Sequence, residues 1–84
     1  MSLAKVLIVE DDAFIRSTLS TLLGHKGFDV IGAVETAEEA LFLQQLHKPE
    51  VLLTDLDLGP GPSGIDIAAT LRSKKPNLGI IILT

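Results

Sequence analysis

Four short apolar runs alternate with three stretches of helical periodicity, and that alternation limits the fold more than any other feature. Lys5–Glu10 (KVLIVE), Phe28–Val34, Val51–Asp55 (VLLTD) and Leu78–Leu83 (LGIIIL) read as strands. The first and third are short and nearly continuous in apolar residues, the pattern of strands covered on both faces. Gly32 weakens the second. Between strands the period changes. In Ala13–Lys26, residues Ile15, Leu19, Leu22 and Leu23 fall at i, i+4, i+7 and i+8, one face of a helix. Asp12 is its expected N-cap, and His25, Lys26 and Gly27 form its C-terminal signal. Thr36 and Glu39 have capping-box spacing. They open a helix to about His47, with Ala37, Ala40, Leu41 and Phe42 turned inward and Pro49 closing it. Ile65–Lys75 is the third helix, stopped by Pro76. Gly59, Pro60, Gly61 and Pro62 mark Leu56–Gly64 as a turn region.

The resulting βαβαβαβ order predicts an α/β domain, a doubly wound parallel sheet with helices on both faces. If strand two flanks strand one on the outside and strand three flanks it on the other side, the strand order is 2-1-3-4. A chain of 84 residues has room for one such domain, so residues 1–84 are read as a single unit.

Composition removes several function classes. With 7 Lys+Arg against 11 Asp+Glu the net charge is −4, which argues against direct nucleic-acid binding. The absence of Cys excludes a disulfide framework and Cys-ligated zinc or iron–sulfur sites, and fits a cytoplasmic protein. A hydrophobic content of 46% argues against disorder. No apolar run approaches the ~20 residues of a membrane-spanning helix, so no membrane partner is expected.

The acids are placed where chemistry is expected. Glu10 and Asp11 close the first strand, Asp12 follows, Asp55 closes the third strand, and Asp57 lies two residues on. In open α/β sheets ligands bind beyond the carboxyl ends of strands, where the strand order reverses. Neighbouring strands lie ~4.8 Å apart, so Asp11 and Asp55 fall within reach of one ion. Clustered carboxylates repel one another, and a hard divalent cation relieves the repulsion. Mg²⁺ suits an all-oxygen site that keeps water and bridges to phosphate. An Asp carboxylate beside it can serve as a phosphoryl-accepting nucleophile.

Gly59-Pro-Gly-Pro-Ser-Gly64 formally matches the GxGxxG dinucleotide fingerprint. Pro60 and Pro62 remove N–H donors, and Asp55 and Asp57 would repel a pyrophosphate, so a Gly/Pro turn is the better reading. His25 and His47, near helix C-termini, suit the negative end of the helix dipole. Phe14, Phe28 and Phe42 are read as core or partly buried packing.

Taken together, VLIV-Glu10-Asp11-Asp12, VLLT-Asp55, Leu58 and Gly64, and IIIL-Thr84 resemble the receiver domain of two-component response regulators. The resemblance runs the length of the chain and implies a flavodoxin-like fold. It implies a phosphorylation-dependent switch rather than an enzyme. Asp55 matches the phosphoacceptor, taking its phosphoryl group from a sensor histidine kinase or phosphotransfer protein. Asp11 matches the direct Mg²⁺ ligand and Glu10 the acid beside it. Asp57 matches the position whose backbone carbonyl holds the metal, and its side chain is expected to tighten Mg²⁺. Thr84 matches the switch hydroxyl. In the family a helix, a fifth strand ending in Lys and a final helix follow, then often an output domain; Lys74 and Lys75 do not replace that Lys. Gly59 stands where many members have Pro. With strand four as an apolar edge, a homodimer or swapped oligomer is expected. Two alternatives remain on sequence. Asp55-Leu-Asp57 also resembles the DxD of haloacid-dehalogenase-like phosphotransferases, and a degenerate receiver could act only as an interaction module.

Overall fold

A computed structural model describes residues 3–83. Its elements are β1 (Lys5–Val9), α1 (Ala13–His25), β2 (Asp29–Val34), α2 (Ala37–His47), β3 (Val51–Asp55), α3 (Gly64–Lys74) and β4 (Gly79–Leu83). The strands form one sheet in the order β2-β1-β3-β4. All three pairings are parallel. The expected topology is therefore present. At Ile31 the β1–β2 register slips, Val6 facing Val30 and Leu7 facing Gly32, so the predicted weak point is a bulge.

Alternation along β1 builds two cores. Leu7 and Val9 point to one face with Val34, Ala40, Leu52, Leu58, Ile67, Ala68, Leu71 and Leu78. Val6 and Ile8 point to the other with Leu53. The first core is roofed by α2 and α3. The second has α1 alone above it among the described residues, and the contrast shows in the helix. No residue of α1 is buried. Leu19 and Leu23 rest on the sheet, whereas Ile15 and Leu22, expected on the same face, are 44% and 48% exposed. One helix on a flat sheet touches it through a narrow stripe, and the flank bearing Leu22 meets no second helix.

Two aromatic expectations fail for related reasons. Phe42 is 62% exposed. It lies about 200° round the helix from the buried Ala40, on the far side of α2. Phe14, in the first turn of α1, is also exposed, and only Phe28 packs against the second core.

The caps hold with one exchange of roles. The Asp12 carboxylate accepts from Ile15 N at 3.0 Å as N-cap of α1. Thr36 caps α2 by accepting from Glu39 N at 3.3 Å, but the Glu39 carboxylate accepts from the Thr36 hydroxyl at 3.0 Å instead of closing a reciprocal box. The full capping box is at α3, between Ser63 and Asp66. It starts that helix at Gly64, one residue before its expected beginning. His25 and His47 are the last residues of α1 and α2, as the dipole argument requires.

Candidate functional site

The carboxyl ends of β1 and β3 are neighbours in the sheet, Val9 facing Thr54. Each strand continues into a turn that carries acids. Glu10 N still donates to Val34 O at 2.9 Å, so Glu10 is held as a last rung of the ladder. Leu56 N donates to Leu83 O at 2.9 Å and fixes the exit of β3 in the same way. One carboxylate oxygen from each of Glu10, Asp11 and Asp55 then lies within 4.8 Å of the others. Strand spacing predicted that Asp11 and Asp55 would approach each other, and the geometry brings them together with Glu10.

The three acids are not equivalent. Glu10 is 3% exposed, Asp55 half-buried and Asp11 exposed. Burial raises the Glu10 carboxyl above its ordinary value of 4.5, and a hydrogen bond with Asp11 and the charges of Asp55 and Asp11 push the same way. The Asp12 N–H, donating to Glu10 Oε2 at 3.0 Å, opposes this. A carboxyl pushed toward its neutral form first by burial, and further by two neighbouring carboxylates, is a site short of positive charge. The donor set is all oxygen, one member is open to solvent, and no thiolate or imidazole takes part. That set fits Mg²⁺.

Asp57 behaves differently from the other acids. Its Oδ1 accepts from Gly59 N at 3.0 Å, so the carboxylate is engaged in its own turn and stands outside the three-acid group. Gly59 has φ +81°, a left-handed conformation that favours glycine and that the proline ring forbids. A β-carbon on Gly59 would lie 3.7 Å from Asp11 Oδ2, so this loop runs directly beside the acids. Thr84 lies outside the described residues.

Gly64, part of the resemblance, gains a physical role here, and Arg16 is a position that the sequence reading did not name. Gly64 is packed against the backbone of Asp55 and Leu56, and its N–H donates to Leu56 O at 2.9 Å. Arg16 reaches back over the end of β1, Nη1 donating to Glu10 O at 2.8 Å. Arg16 lies one turn beyond the Asp12 cap, a position that no sequence motif marks.

Comparison with known proteins agrees with this geometry. Residues 6–84 match the family model of the response regulator receiver domain. The chain is 38% identical over 80 residues to the transcriptional regulatory protein PdtaR of Mycobacterium tuberculosis, covering 95% of this chain and 38% of that protein. It is 44% identical over 80 residues to the two-component response regulator PhoP of Pseudomonas aeruginosa, covering 95% and 35%. The chain thus spans little more than a third of either relative. Among solved structures, a response regulator receiver domain protein from Clostridium thermocellum superposes with a TM-score of 0.88 at 31% identity, over 98% of this chain and 65% of that one.

Proposed function

The chain belongs to the response regulator receiver family, and from that premise we propose that Asp55 accepts a phosphoryl group from a phosphohistidine, with Mg²⁺ held by Glu10, Asp11, Asp55 and the Asp57 backbone carbonyl. The observation that carries this reading is the meeting of three carboxylates within 4.8 Å at two adjacent strand ends. Mg²⁺, when bound, neutralises charge on the transferred group. The chain's own residues do the rest. An Asp55 oxygen attacks phosphorus, the P–N bond to the donor imidazole breaks, and its electron pair stays on the imidazole nitrogen. Glu10 and Asp11 are the acids that keep the cation beside Asp55. Thr84 is assigned the hydroxyl that bonds the new phosphoryl oxygen and shifts the switch.

The dehalogenase-like alternative asks Asp57 to be a free general acid. The Gly59 N–H on its carboxylate speaks against that use. Intact acids at Glu10, Asp11 and Asp55 speak against a degenerate module.

The partners in this reading are a sensor histidine kinase or phosphotransfer protein, in the cytoplasm, and an output region in the longer protein. Among the described residues no helix is long and apolar enough to cross a membrane. Among the described residues β4 is an edge of the sheet, and Ile81 on it is 52% exposed. An apolar edge templates strand addition, so the 84-residue chain is expected to self-associate; a monodisperse monomer in light scattering would refute this.

Intact mass after incubation with acetyl phosphate tests the chemistry. A Mg²⁺-dependent phosphoryl adduct is expected on the wild type and none on Asp55→Asn. An adduct that survives in Asp55→Asn would place the acceptor elsewhere.

A further inference from the structure

We infer that Arg16 is a positioning residue for the acidic site: its guanidinium clamps the Glu10 carbonyl and leans on Glu35, holding the turn that presents Glu10 and Asp11. The inference rests on the reading of these acids as a Mg²⁺ site. Arg16 Nη1 donates to Glu10 O at 2.8 Å and lies 3.9 Å from Glu35 Oε2. Arg16 is on α1, Glu10 follows β1, and Glu35 follows β2. One side chain therefore links three segments at the carboxyl end of the sheet.

The Glu10 peptide is fixed on both sides. Its N–H donates to Val34 O at 2.9 Å, and its carbonyl accepts from Arg16. Downstream, Asp12 N donates to Glu10 Oε2 at 3.0 Å, and Asp12 Oδ1 accepts from Ile15 N at 3.0 Å. These contacts converge on the three-residue segment Glu10–Asp12, which supplies two of the three clustered carboxylates.

That segment needs bracing. Its carboxylates repel each other and Asp55, and Asp11 is exposed, so an unbraced turn would relax by swinging Asp11 outward. Arg16 opposes this motion at the one group of Glu10 that strand pairing leaves free, its carbonyl. The Arg16 side chain is 22% exposed and that of Glu35 58% exposed. The ion pair itself is therefore solvent-screened and weak. The half-buried bond to the carbonyl is the part that holds the turn. A planar guanidinium serves two directions at once, and an ammonium on a flexible stem does not.

Positioning and bare charge predict opposite signs. Removing a cation near a metal site tightens Mg²⁺ by electrostatics alone. Losing an outer brace weakens it. The test is Mg²⁺ titration of wild type, Arg16→Met, Arg16→Lys and Glu35→Gln, followed by the amide resonances of Asp11 and Asp55. Hydrogen exchange of the Asp12 amide in metal-free protein accompanies it. Arg16→Met is expected to weaken Mg²⁺ about tenfold, the low end for residues that support metal ligands, and to speed Asp12 exchange. Arg16→Lys should recover only part of both effects, and Glu35→Gln should change them little. Arg16→Met binding as tightly as wild type or more tightly, or Arg16→Lys matching wild type in full, would overturn the inference. Should the wild type take up no Mg²⁺, the metal reading fails first, and unchanged Asp12 exchange in Arg16→Met and Arg16→Lys would separately refute the brace.

Discussion

Gly64→Ala is expected to destabilise the protein by about 3 kcal/mol or more and to displace the backbone of Asp55. A β-carbon at Gly64 would overlap the Asp55 carbonyl oxygen, and it would lie 3.0 Å from the Asp55 carbonyl carbon and 3.2 Å from Leu56 Cα. All three are backbone atoms at the exit of β3, tied into the sheet through Leu56 N and Leu83 O. No rotamer change can make room. Either α3 lifts away, exposing Ile67, Ala68 and Leu71, or the β3 terminus moves and takes Asp55 with it. For 84 residues total stability is on the order of 4–13 kcal/mol, so the loss is a large fraction. The chain has no Trp or Tyr, and urea unfolding followed by far-UV circular dichroism is the suitable readout. Gly24→Ala is the control. It lies in α1, and a methyl group there would have no neighbour within 4 Å, so it should be neutral or stabilising by up to ~1 kcal/mol. A Gly64→Ala midpoint equal to wild type would show that the strand end yields freely and that this glycine does not set Asp55.

The sheet and its order were legible because each strand is a short apolar run bounded by turn residues and the first two helices carry recognisable caps; the Ser63–Asp66 box of the third was not read. The acids were legible for the same reason: a residue that ends an apolar run in a parallel sheet ends up at the carboxyl edge, and β1 and β3 are neighbours. What the spacing could not convey depends on three-dimensional neighbours. The expected face of α1 included Ile15 and Leu22, yet how wide a stripe is covered depends on how many helices share that side of the sheet. Phe42 is the exception, because its two-residue offset from Ala40 already turns it outward and only its apolar character argued otherwise. Asp57 differs from Asp11 only through the loop conformation that lets Gly59 donate to it. Arg16 carries no motif. Its role is visible only once α1 is seen to start directly above the end of β1.

Glu10→Gln should remove a pH-dependent loss of stability and weaken the response of the protein to Mg²⁺ together. Burial and two neighbouring carboxylates raise the folded-state Glu10 carboxyl above 4.5, its ordinary value. The folded protein therefore holds this proton more tightly than the unfolded chain does. The contribution to stability is fully present below that ordinary value and is lost as pH rises through the raised folded value. Metal-free wild type is thus expected to lose stability as pH climbs through this window, and Glu10→Gln, which carries no ionisable group there, should lack that loss. The amide keeps an oxygen to accept the Asp12 N–H, so the turn is preserved while the charge is removed. At neutral pH the metal-free variant should be the more stable of the two. Saturating Mg²⁺ should invert the order, because a cation that binds only the folded state adds about 2.7 kcal/mol at a hundred times its Kd, and removing a supporting carboxylate should weaken its binding about 10- to 100-fold. Thermal unfolding across pH 4–8, with chelator and with Mg²⁺, measures both effects. Identical pH slopes would mean that Glu10 is charged without penalty in the fold. Equal Mg²⁺ stabilisation of the two proteins would mean that Asp11 and Asp55 hold the cation without it.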